Sequence, residues 1–219
     1  MEKKEEQWLI DRAFNFTLAN EDKVRCVLGN LKKVKDGLIS YSTALSNMVI
    51  GGGINEPSRY ERSTQTAYKS MSLIKTKDSI SPISIAFVDG KIDYKSLILS
   101  QCFKKQYKKN EGPKIRPLIV TLCVLKKIYD NEETRKFAWL DPYDYLNFLT
   151  EVRDYSEIDD CISKIINSKS LSKGERKVSE VKDCDIWYNM FVTTGLFEKN
   201  DPTETYKISL NLKEMELII

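Results

Sequence analysis

The chain has 219 residues, enough for one large domain or two small ones. Its composition, 41% hydrophobic and 31% charged, suits packed cores with a hydrated surface, and no apolar run approaches the roughly 18–20 residues that span a bilayer. The complete absence of histidine excludes histidine general bases, serine–histidine triads, HNH nucleases and histidine-liganded zinc.

The net charge of +3 is unevenly placed. From Arg62 to Lys109 cations dominate, with only Asp78, Asp89 and Asp93 against them. From Asp130 to Asp160 the balance reverses. The basic part suits a polyanion; the acidic part suits solvent or a protein partner. The mixed-charge start, Met1 to Glu6, lacks the apolar core of a signal peptide, which points to a cytoplasmic protein without a membrane partner. Five dispersed cysteines, none in C-x-x-C spacing, read as buried free thiols.

In chain order, Trp8, Leu9, Ala13 and Phe16 have helical spacing. Val24, Val27, Leu28, Leu31 and Val34 mark a second helix, ended by Asp36-Gly37, and Tyr41 to Ile50 a third. Gly51-Gly52-Gly53 then breaks the backbone. Arg62 to Ile74 predicts an amphipathic helix with Ala67, Met71 and Ile74 inward and Ser63 or Thr64 as its cap. Ile83, Ile85 and Phe87 alternate up to Asp89-Gly90, a pair suited to a primed turn, so Ile83 to Tyr94 predicts a hairpin with Lys91 near its tip.

Leu97 to Tyr107 predicts a helix. The polar run Lys108 to Lys114 predicts a boundary, giving units 1–110 and 111–219. Pro117 opens a helix whose inward face is Leu118, Leu122, Leu125 and Ile128, and Asp141-Pro142 opens another with Tyr145, Leu146 and Leu149 inside. Ile158, Ile162, Ile165 and Ile166 mark the next, and Ser168 to Glu180 a polar loop. Asp183 to Val192 predicts a helix, followed by Gly195 and a strand through Tyr206, Ile208, Leu210 and Leu212.

A helix followed by a period-two strand thus occurs twice. The expected fold is mainly α with small β-hairpins, as tandem winged-helix or helix-turn-helix units. Within Arg59 to Lys69, Arg62, Gln65 and Lys69 share a face by their spacing. Arg and Gln are the side chains that pair with guanine and adenine in two-bond geometry. Arg59, Ser63, Thr64, Lys91, Lys104, Lys105 and Lys108 are the companion DNA-contact candidates, mostly to phosphate. The second helix begins with Asp183 and Asp185, which repel phosphate, and its Trp187, Tyr188, Met190 and Phe191 suit a core or an interface. Lys173, Arg176 and Lys177 upstream suit a backbone contact.

No catalytic or metal-binding set emerges. Glu180-Val181-Lys182 and Asp89-Gly90-Lys91 have the tripeptide form of a magnesium nuclease, but such triplets arise by chance in a chain this rich in charge. Gly51-Gly52-Gly53 lacks the lysine of a P-loop.

Arg62, Ala67, Lys69, Leu73 and Ile74, then Leu97, Gln101 and Lys104, then Ile115, Pro117, Leu122 and Leu125, form a pattern that resembles the N-terminal DNA-recognition region of AlwI-like type IIS restriction and nicking endonucleases. The resemblance covers roughly residues 5–170. It implies tandem winged helices that recognise double-stranded DNA, with cleavage performed by a separate nuclease domain or subunit. It implies no cofactor in this chain; magnesium would belong to that cleavage domain. The same residues also suit a stand-alone winged-helix transcriptional regulator or a winged-helix protein-interaction module.

Overall fold

A computed structural model describes residues 16–76, 79–106, 114–170, 182–200 and 207–215. The described residues are mainly helical, with two small antiparallel two-stranded sheets among them. Chain contacts divide it between Gln101 and Cys102, within one helix. The expected helix around Trp8 and most of the expected boundary at 108–114 lie outside the described residues.

In the first unit, a 3-10 turn at Leu18–Asn20 leads into α1 (Glu21–Lys35), followed by α2 (Tyr41–Ile50). Val24, Val27, Leu28 and Leu31 are buried on α1, as their spacing predicts. Ser40 caps α2, its hydroxyl accepting the Thr43 amide at 3.1 Å. Then come α3 (Pro57–Arg59), a π-helical turn (Tyr60–Thr64) and α4 (Gln65–Ser70), one continuous helical run. Its buried residues Tyr60, Thr64, Ala67 and Tyr68 are spaced four, three and one apart. β1 (Ile74–Thr76) and β2 (Ser79–Ile80) form a hairpin, followed by α5 (Pro82–Val88) and α6 (Tyr94–Lys104).

Two expectations fail here. The helix from Arg62 stops at Ser70, so Ile74 is buried from a strand. Ile83 to Tyr94 is not a hairpin: it is α5, a short connection and the start of α6. The Ser81 hydroxyl accepts the Ser84 amide at 3.4 Å, and Pro82 occupies the first turn, where its missing N–H leaves no bond unmade. Gly90 does adopt a positive φ, +72°, but as a helix terminator. Its N–H donates to Phe87 O (3.1 Å) and that of Lys91 to Ala86 O (2.8 Å), a Schellman motif.

The same bonding ends α1 at Gly37, α2 at Gly52 and α4 at Ser72. Ser72, at φ 54°, is the one described residue other than glycine with positive φ. The flanking glycines of the triplet have a packing reason. A Cβ on Gly51 would lie 2.7 Å from the Cys26 Sγ, and one on Gly53 would lie 3.0 Å from it.

The second unit contains α7 (Pro117–Asp130), a 3-10 turn at Arg135–Phe137, α8 (Pro142–Asn147), and 3-10 turns at Leu149–Glu151 and Tyr155–Glu157. α9 (Ile158–Lys169), α10 (Lys182–Thr193), β3 (Phe197–Asn200), β4 (Lys207–Leu210) and α11 (Leu212–Met215) complete it. α7 packs on α9, and α10 on α8 and β3. Leu118, Leu125 and Ile128 are buried on α7, with Val120, Thr121 and Val124 beside them; Leu122 is only half-buried.

The Asp141-Pro142 start forms a full capping box. Asp141 Oδ1 accepts the Asp144 amide (3.0 Å), and Asp144 Oδ2 accepts the Asp141 amide (3.1 Å). Phe197 of β3 pairs with Leu210 of β4, and a third strand contributes a single residue: Leu140 pairs antiparallel with Ile208. Ile208 and Leu210 point inward as their alternation predicts. Leu212 instead opens α11, and Tyr206 lies outside the described residues. Tyr188 packs edge-on against Tyr145 (5.9 Å), while Phe191 lies between Trp187 (5.3 Å) and Phe197 (5.4 Å).

Candidate nucleic-acid interface

The helical run Pro57–Ser70 presents one polar face. Arg62 is exposed on the π turn, where its Nε donates to Ser58 O (3.2 Å) and its guanidinium meets Glu56 at 3.5 Å. Both partners of that ion pair are more than half exposed, at 75% and 55%. Such a pair contributes little, and a phosphate or base edge can replace it at small cost. One turn on, Gln65 Oε1 accepts from the Lys69 ammonium at 3.2 Å. Arg62 and Lys69 are therefore exposed on one helical run with half-buried Gln65 between them in sequence, each held by an exchangeable contact. Glu61 is also exposed on the π turn and limits the positive potential there.

The other candidates fall in different places. Arg59 lies in α3. Ser63 is half-buried, and Thr64 is buried at 6% exposure. The helix continues through Thr64 with αR angles and without a side-chain cap bond. Capping is unnecessary because the π turn supplies helical backbone upstream. Lys91 is exposed just after the α5 terminator rather than on a hairpin. Lys104 ends α6 and is exposed. Lys105 is half-buried, and burial holds its ammonium below the usual lysine range. Both belong to the second unit. Lys108, Lys173, Arg176, Lys177 and Glu180 lie outside the described residues.

Lys75 belongs to the basic stretch but is not among the contact candidates that the sequence singles out. The hairpin begins four residues after α4 ends, and β1 turns Ile74 inward while Lys75 and Thr76 are exposed. Ser81-Pro82, a helix-start signature, was the signal that could have placed the hairpin before it rather than after.

In the second unit, α10 buries Cys184, Ile186, Trp187, Tyr188, Met190 and Phe191. Burial pushes the Cys184 thiol up and raises the Asp185 carboxyl. Among the described side chains of this helix the half-buried ones are Asp185, Asn189 and Val192, none of them basic.

Next to α8 lies a buried ion pair. The Lys169 ammonium is 3.5 Å from Asp144 Oδ2, with side chains 1% and 0% exposed. It donates to the carbonyls of Phe137 (2.8 Å) and Trp139, and sits 3.8 Å from the centre of the Trp139 ring. Among the described residues no group of His, Cys, Asp and Glu could hold a metal ion, and no helix is long and apolar enough to cross a membrane. Comparison with protein-family models and with curated proteins finds no match to this chain.

Proposed function

We propose that the chain is a sequence-specific double-stranded DNA-binding protein, reading DNA through Arg62, Gln65 and Lys69. The observation that carries this reading is the placement of those side chains on a helical run directly followed by a hairpin, with Lys75 outward on its first strand. A helix of that composition suits base edges, and an adjoining basic hairpin suits the phosphate backbone. The second unit supports the same class of fold. Its order of helix, single bridging residue, helices and hairpin, with Leu140 paired to Ile208, is compatible with a winged helix. Since the described side chains of α10 are largely buried and, from Cys184 to Thr193, include no cation, this unit suits a scaffold rather than a base reader. In the fuller form of the proposal, the chain recognises DNA for a cleavage domain or subunit of a restriction endonuclease.

The test is binding of the full chain to a randomised duplex library, followed by titration with salt. Arg62→Ala or Gln65→Ala should cost about 1–3 kcal/mol on the selected site and relax specificity there. Identical affinity of parent and variants for every duplex would remove these residues as readers. Parent binding that is absent at low salt would remove DNA binding itself.

A further inference from the structure

A group of cations in the second unit, outside every candidate above, is mounted on aromatic rings. Arg135 stands 5.0 Å over the Tyr129 ring while its Nε donates to the Tyr129 carbonyl at 2.8 Å. Lys136 lies 5.1 Å from the Phe137 ring, and Lys207, the first residue of β4, lies 4.5 Å from the Trp139 ring. From the inside, buried Lys169 bonds the carbonyls of Phe137 and Trp139, and Asp144 neutralises it. The segment Arg135–Trp139 is thus fixed from within by one lysine and displays cations outward.

We propose that Arg135, Lys136 and Lys207 form a phosphate-contact surface for duplex DNA in the second unit, separate from the Arg62–Gln65–Lys69 face. Rings restrict the rotamers of these long side chains, so less freedom is lost when an anion binds. Among the described residues neither Arg135 nor Lys136 has a carboxylate partner; Asp130 is taken by Lys126 at 2.6 Å. Bonding through Nε fixes the Arg135 plane and leaves its terminal nitrogens for phosphate oxygens. Glu132 and Glu133, exposed on the preceding turn, oppose the patch and confine it to a few phosphates. Contacts of this kind to phosphate carry no sequence information, so binding through them is independent of sequence.

This inference rests on the proposed DNA binding, and one experiment separates the two. Affinity of the full chain for its selected duplex and for an unrelated duplex is measured against salt, for the parent, for Arg135→Gln/Lys136→Gln/Lys207→Gln and for Glu132→Gln/Glu133→Gln. Circular dichroism confirms that the variants are folded. The triple variant should bind both duplexes about tenfold or more weakly, with the log–log salt slope reduced by about 2–3. The glutamate variant should bind both more tightly. A parent that binds while its triple variant keeps both affinity and slope overturns the patch alone. Loss confined to the selected duplex also overturns it. A parent that binds no duplex overturns this inference together with the proposed function.

Discussion

Lys169 and Asp144 form an ion pair from which water is excluded, 3.5 Å apart with side chains 1% and 0% exposed. The pair joins the end of α9 to the capping box that opens α8, and through the Phe137 and Trp139 carbonyls to the segment before Leu140. Replacing Lys169 by Met keeps the apolar stem but strands a carboxylate in the core. The expected loss is about 3–5 kcal/mol in urea unfolding. Lys169→Met/Asp144→Asn should recover part of it, since no buried charge remains.

Gly51 makes a prediction of the opposite kind, a steric one. Its missing Cβ would meet the Cys26 Sγ at 2.7 Å, so Gly51→Ala should destabilise by about 1–3 kcal/mol. Cys26→Ala removes the sulfur, and in that background the alanine at 51 should cost much less. A double-mutant cycle on thermal unfolding reads the coupling directly; simple additivity would refute the contact.

Ser72 holds a left-handed backbone that costs an L-residue roughly 1–2 kcal/mol. Ser72→Gly removes that cost but adds freedom to the unfolded chain, leaving a net gain of about 0.5–1 kcal/mol. Gly90→Ala, at the equivalent position after α5, should lose about as much. Chemical denaturation of both variants checks the pair.

Burial pushes the Cys102 and Cys161 thiols up to about 12, while unfolded thiols titrate near 8.5. The sign follows from linkage. Below the unfolded value both states keep the proton and the full stability is present. As pH rises past it, only the unfolded state releases protons, so stability is lost progressively between about pH 8.5 and 12. Native protein at pH 8 should therefore react slowly with iodoacetamide at both cysteines, and quickly in urea, as read by mass spectrometry.

On the proposed reading face, burial separates a contact from a neighbour. Thr64 is 6% exposed, so Thr64→Val should leave duplex affinity unchanged. Arg62→Ala, three-quarters exposed before the change, should weaken binding to the selected site. Competition titrations of the two variants against the parent decide this.

Much of the helical architecture was legible because apolar spacing and caps agree. Val24, Val27, Leu28 and Leu31 mark α1, and Asp141-Pro142 opens α8 where expected. The misreading at Ile83 to Tyr94 arose from a genuine ambiguity. Asp89-Gly90 supplies a positive φ to a primed turn and to a Schellman terminator alike, and three alternating apolar residues cannot separate a short strand from two turns of helix. The π turn at Tyr60–Thr64 has no sequence signal, so neither does the burial of Thr64. Lys169 was invisible for another reason: its partners lie on segments distant in the chain, and only the fold brings Asp144 and Trp139 to it.

The pairing of Leu140 with Ile208 rests on two reciprocal backbone bonds, each 2.9 Å. Its two residues flank α8, α9 and α10. During synthesis, α7 to α10 can form as each emerges, because their bonds are local. The bridge must wait until β4 has left the ribosome, and closing so long a loop for two bonds is entropically unfavourable until the intervening helices have packed. Docking of the hairpin is therefore expected as the last step in the birth of this unit. A nascent chain stalled before Lys207 would carry Leu140 with an unpaired backbone edge.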